Sequence, residues 1–180
     1  MTTTTAKRME DLPRIADWQP NLAGERKLLK EISAHESAHA VVGNLLGLVV
    51  SEVSVWAVGV SPELHAAKFL TADVVGCAKW KMPVGGVYTD EYLRARLLTF
   101  LAGPVQSCLS RGRPLGGHKE ARDEAGALAT AALLVSDEDA PALVEAARAE
   151  VFEIVFAQRA AIAALGQKLE AERTVPYPFE

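Results

Sequence analysis

The apolar positions of this chain change period several times, and each change predicts an element. Over residues 25–46 they recur at three- and four-residue steps. Leu28, Ile32, Val42 and Leu46 form one stripe, and at its missing steps stand His35 and His39. That is the period of an amphipathic helix, and Gly47 supplies a stop signal. The period then shortens to two. Over residues 49–60, Val53, Val55 and Ala57 alternate with Ser54, Trp56 and Val58, which predicts a strand. After a Ser61-Pro62 turn, residues 66–75 predict a second strand, and a Gly-rich turn follows over residues 83–86.

Helical spacing returns beyond that turn. Thr89-Asp90 caps a helix that carries Leu93, Leu97, Leu101, Val105 and Leu109 at steps of four. Pro104 falls inside it and predicts a kink or a restart at Gly103-Pro104, because proline removes a backbone bond and crowds the preceding turn. The stretch RGRPLGGHKE reads as a loop. A further helix is expected from about Lys119 to Leu134, with Ala121, Ala125, Leu128 and Ala132 on one side and Asp123, Ala127 and Ala131 on another. Pro141 suits the first turn of a last helix, predicted to run unbroken to about Glu172 on Leu143, Ala147, Val151, Ile154, Phe156 and Ile162. The expected fold is mostly α with a small β-sheet (α+β). One domain over residues 24–172 would lie between a flexible arm, 1–23, and an extended tail, 173–180, whose Tyr177 and Phe179 would meet a surface groove or a partner.

Composition narrows the classes. A chain of 180 residues with 49% hydrophobic content can bury one real core. The net charge is −4 with both signs interspersed, so the basic stripe that a nucleic-acid partner requires is missing. The longest apolar stretch, residues 40–50, is interrupted by Asn44 and is too short to span a bilayer. The first residues lack the apolar core of a signal peptide. A soluble cytoplasmic protein is expected. Cys77 and Cys108 form no CxxC pattern and read as reduced, buried residues without a ligand role.

The chemistry concentrates in His35-Glu36-Ser37-Ala38-His39. Two imidazoles at i and i+4 lie one turn apart on one helix face and can grip one Zn²⁺, with the intervening Glu36 placed as general base. Chance alone gives such a pattern in about one chain in a hundred of this composition, so its surroundings matter. Both histidines fall on the core-facing stripe, where an imidazole needs a partner. A catalytic zinc takes three protein ligands and leaves one position open. A third His six residues after His39 is excluded, because that position is Leu45. Glu52 and Glu63 fall in strand or turn sequence. Glu120, Asp123 and Glu124 open the Ala-rich helix, and Asp123 shares the small-residue face of Ala127 and Ala131. Acids in a first helical turn also complement the helix dipole, so spacing alone leaves both readings open.

HESAHA, then LAGPVQSCLSRG, then ARDEAGALATAA resemble in order and rough spacing the peptidase domain of FtsH-type zinc metalloproteases. The likeness covers residues 24–134. That family reads HEAGHA, then LAGRxAEExxxG, then a helix with Asp-x-x-x-Ala-x-x-x-Ala. The resemblance implies a helical zinc endopeptidase and carries the third ligand onto Asp123, with Ala127 and Ala131 matching the two alanines. The family's GxxxxGK[ST] ATPase loop and membrane anchors have no counterpart here, so the implied activity is ATP-independent hydrolysis of flexible or unfolded polypeptide. Ring assembly is not implied, although a homo-oligomer is compatible. Pro104 replaces the family's Arg, and Ser107-Cys108 replace its Glu-Glu. Those changes are expected to remove contacts that orient metal ligands. A non-catalytic, regulatory relative with the same residues is the alternative, and a plain helical interaction protein the third.

Overall fold

The computed structural model of the chain describes residues 18–20, 23–58, 73–112 and 118–177. It is mostly helical with a small antiparallel sheet. In chain order the elements are α1 (Ala23–Leu45), β1 (Val50–Val58), β2 (Asp73–Trp80), α2 (Asp90–Arg111), α3 (His118–Ala131), α4 (Ala140–Ala157), α5 (Arg159–Glu172) and β3 (Thr174–Pro176). A short 3₁₀ turn, Val84–Gly86, links β2 to α2. The sheet order is β2-β1-β3, with Trp56 opposite Val75 on one side and Val53 opposite Val175 on the other.

α1 is the centre of the molecule. One side packs on the sheet: Leu29, Ile32 and Ala40 join Val53, Val55, Ala57 and Val74, together with Leu165 and Leu169 of α5. Its other side packs on the helices: Ala38 and Val42 join Leu97, Leu98, Leu101 and Val105 of α2, Ala127 and Ala131 of α3, and Val144, Val151 and Val155 of α4. With apolar layers on both sides, every residue from His35 to Ala40 is buried. A helix covered all round must find partners for its polar side chains within the protein. The ends of α1 and α2 follow local signals. Gly47 takes a left-handed φ of 84° past the end of α1, where its N–H bonds the Asn44 carbonyl. The Thr89 hydroxyl accepts the Tyr92 N–H at the start of α2, and Gly112, at φ 68°, closes its end onto Cys108.

Several expectations are corrected. The second strand, described over Asp73–Trp80, runs beyond the expected end at Val75; residues 66–72 lie outside the described residues. Pro104 does not restart α2, which is helical from Asp90 to Arg111. Its fixed φ is already helical. The expected last helix is two, α4 and α5, parted at Gln158, whose φ/ψ of −91°/8° leave the helical region. No glycine or proline marks that break in the sequence. The inward stripe of α4 is Val144, Ala147, Val151 and Val155, while Phe156 is exposed and stacks on Phe152. In α3, Ala121, Ala125 and Leu128 face outward, and the face of Asp123, Ala127 and Ala131 turns in.

Both ends of the described chain join the fold. Val175 of β3 is fully buried against β1, so the extended segment after Glu172 is a strand of the sheet. Trp18 is buried in the sheet-side core, and the Arg173 guanidinium stands 5.3 Å from its ring centroid. Phe179 lies outside the described residues, and Tyr177 is exposed, its N–H bonded to the Ser51 carbonyl. Cys77 is partly exposed and Cys108 exposed, neither in a disulfide among the described residues, which corrects the expectation that they are buried. Among the described residues no helix is long and apolar enough to cross a membrane.

Candidate metal centre

Two helices and one side chain from a third make the site. His35 and His39 project from the middle of α1, their rings edge to face with centroids 4.7 Å apart. Asp123 enters from the first half of α3, where Ala127 and Ala131 are fully buried and let that helix approach closely. Gly126 serves the same approach: a Cβ there would stand 2.7 Å from the Phe100 ring of α2. Three donor atoms converge. His35 Nε2 lies 2.9 Å from Asp123 Oδ2, His39 Nε2 lies 3.1 Å from His35 Nε2, and His39 Nε2 lies 3.4 Å from Asp123 Oδ2. Donors on a tetrahedral zinc with bonds of about 2.0–2.1 Å are spaced about 3.3 Å apart. The triangle matches one face of that tetrahedron, and the donor set of two imidazoles and one carboxylate suits zinc.

α2 completes the cradle. Thr99, Gly103 and Ser107 stand four apart, a small and polar stripe in an otherwise apolar helix. The Thr99 carbonyl accepts from His39 Nδ1 at 2.6 Å, and Ser107 Oγ meets His35 Nδ1 at 2.9 Å. Between them Gly103 leaves the space in front of the ring nitrogens open. A Cβ there would lie 2.3 Å from His39 Nε2 and 2.5 Å from His35 Nε2. The expected loss of a ligand-orienting contact at position 107 is therefore corrected: the Ser107 hydroxyl supplies one, to His35. Only their four-residue spacing marks the three together in the sequence.

The other acids go elsewhere. Glu124 pairs with Arg148 of α4 at 2.7 Å, Glu52 pairs with Lys79 across the sheet, and Glu120 is buried beside the start of α3. Glu63 lies outside the described residues. Glu36, between the two histidines, points to the sheet side of α1 and runs against the backbone of Gly76 in β2. A Cβ at Gly76 would come within 2.3 Å of Glu36 Cγ and 2.6 Å of its Oε1. Glycine in that strand is what lets the carboxylate lie between helix and sheet.

Charge is concentrated here. Burial opposes protonation of His39. The Asp123 carboxylate, by charge and by hydrogen bond, outweighs it with help from Glu36 and the Thr99 carbonyl, and the pKa rises from 6.5 to about 9. Burial pushes the Asp123 carboxyl up, but His39 and His35 hold it well below its ordinary 3.8. In the metal-free protein, then, His39 contributes stability that is complete below pH 6.5 and is lost as pH rises through about 9. Asp123 contributes stability that is present above pH 3.8 and is lost on acidification. A bound divalent metal displaces the His39 proton, so its stabilisation has the opposite trend. The expected outcome is a zinc-induced rise in Tm that is small at pH 6 and larger at pH 8.5. Melting curves with and without zinc across that range check it, and a shift independent of pH would contradict it.

The arrangement defines a buried two-histidine, one-carboxylate centre with a glutamate beside it. No protein-family model matches the chain, and a search of curated proteins finds no match.

Proposed function

We propose that the protein is a zinc-dependent endopeptidase, related to the FtsH-type peptidase domain and acting without ATP on flexible or unfolded polypeptide in the cytoplasm. The observation that carries this reading is the convergence of His35, His39 and Asp123 within 2.9–3.4 Å, with Glu36 on the turn between the two histidines. A purely structural site has no use for that glutamate.

His35 Nε2, His39 Nε2 and an Asp123 oxygen would hold the metal. Zinc, when bound, lowers the pKa of a water toward about 7 and polarises a carbonyl. Glu36 takes a proton from the attacking water at its carboxylate and passes it to the leaving nitrogen. Thr99 and Ser107 keep the two imidazoles aimed. Among the described residues no strand pairs with the outer edge of β2, and Gly76 brings that strand against Glu36. An extended substrate backbone added to this edge would run past the catalytic carboxylate, which favours segments without stable structure.

Zinc per chain, measured on protein purified without chelator or affinity-tag metal, tests the reading together with hydrolysis of a denatured, fluorophore-labelled polypeptide. Near-stoichiometric zinc in the wild type is expected to fall to under about a tenth in Asp123→Ala, with hydrolysis lost in parallel. Full zinc occupancy with no hydrolysis would leave a metal-binding regulatory module instead. An empty wild type after incubation with zinc would end the enzyme reading.

A further inference from the structure

Arg94, Arg111 and Arg148 each pair with a glutamate: Glu150, Glu31 and Glu124. Arg96 of α2 does not follow them. Among the described residues it makes no ion pair and no hydrogen bond, and its Nε is buried without a partner. What surrounds it is aromatic. The guanidinium stands 5.4 Å from the centroid of Phe100, and that ring meets Trp80 edge to face at 5.5 Å. Phe100 in turn is pressed against Gly126 of α3, which holds this aromatic shelf in place. A half-buried guanidinium without a counter-charge keeps its donors unused, and their planar fork fits a carboxylate.

The position of the shelf gives those donors a use. β2 and α2 both pack on α1. Beside the metal centre each presents a glycine, Gly76 against Glu36 and Gly103 against the two imidazoles. Further along they meet, where Trp80 touches Phe100. Arg96, Phe100 and Gly103 follow one another at steps of four and three, so they share one face of α2. Arg96 lies about 10 Å along the axis from Gly103, and Gly76 to Trp80 covers about 13 Å of strand. Strand and helix thus lead from the metal centre to the same shelf. An extended chain on the outer edge of β2, rising about 3.3 Å per residue, reaches it about three to four residues from the bond to be cut.

From this geometry we propose that Arg96, on the shelf of Trp80 and Phe100, is a subsite for a carboxylate of the substrate. The inference rests on the peptidase reading above and narrows its substrate class: polypeptide with an acidic side chain, or a free C-terminus, at that distance from the cleaved bond. Both sources offer the same pair of oxygens. The rings shield one side of the guanidinium from water, which strengthens such a pair over one in bulk solvent.

Binding of rhodamine-labelled, otherwise uncharged peptides to zinc-loaded Glu36→Gln protein, read by anisotropy, tests the inference without hydrolysis. One set is amidated at the C-terminus and carries a single Glu, Gln or Lys. A second set carries none of these and ends in a free carboxylate or an amide. A carboxylate is expected to tighten binding about tenfold in at least one set, and the set that responds identifies the source. Adding Arg96→Gln is expected to erase the difference, Arg96→Lys to keep part of it, and Arg96→Glu to turn it toward the Lys peptide. Melting curves check that each variant is folded. Equal affinity across both sets, or a carboxylate preference that persists in Arg96→Gln, would overturn the inference and leave the peptidase reading standing. A preference that depends on Arg96, in a protein whose wild type hydrolyses none of these peptides, would overturn the peptidase reading and leave the carboxylate subsite.

Discussion

Glu36→Gln is expected to abolish peptide hydrolysis, by roughly 10²- to 10⁴-fold, while zinc content stays near that of the wild type. The substitution keeps the volume and shape that fit against Gly76, where the glutamate side chain already runs as close as a glycine backbone allows. It removes only the carboxylate's ability to take a proton. Glu36 is not one of the three converging donors, so the metal loses no ligand. The loss of its negative charge also removes one of the influences that raise the His39 pKa, so protons compete slightly less with metal there. Hydrolysis rates and metal content measured on the same preparations decide the matter. Unimpaired turnover in Glu36→Gln would mean that the proton is moved by another group.

The second large effect concerns a residue with no side chain. Gly103→Ala places a methyl group 2.3 Å from His39 Nε2 and 2.5 Å from His35 Nε2, in the space toward which both lone pairs are directed. Alanine is a better helix former than glycine by about 1 kcal/mol, so α2 itself gains. Overpacking a buried contact costs about 1–3 kcal/mol, so the net loss is about 2 kcal/mol at most and the variant is expected to fold. Its zinc content is nevertheless expected to fall below a tenth of the wild-type value, because the imidazoles must rotate away from each other to admit the methyl. Elemental analysis alongside a thermal melt separates this from simple unfolding. A folded Gly103→Ala that loads zinc normally would show that the helix can shift by several tenths of an ångström at no cost to the site.

How far the site could be read in advance depended on where its parts sit in the chain. His35, Glu36 and His39 are legible because helical periodicity is local: four residues make one turn wherever the helix lies. Asp123 was reachable only in part. Its shared phase with Ala127 and Ala131 marked a face for close packing, but the competing role of a first-turn acid had the same sequence signature. The resemblance favours Asp123, and the structure sets its carboxylate against both imidazoles. Thr99 and Gly76 carry no such signal, and Gly103 and Ser107 are legible only as a helix interruption and a departure from the family's motif. Each matters through what is absent or generic: a carbonyl, a hydrogen in place of a Cβ, a hydroxyl that most helices turn back on themselves.

The fold divides the same way. Local signals determined the α+β class, the Thr89 cap, the Gly47 stop and the core-facing line of α1, since each depends on residues within one or two turns of each other. The tertiary structure alone decided that α1 is buried on both sides and that Val175 returns to pair with β1. It also decided that the chain breaks at Gln158 so that α5 can lie along α1, and that β2 continues to Trp80. These follow from the packing of surfaces far apart in sequence. A contact of that kind leaves no period in the chain, because its free energy comes from apolar area removed from water by both partners at once.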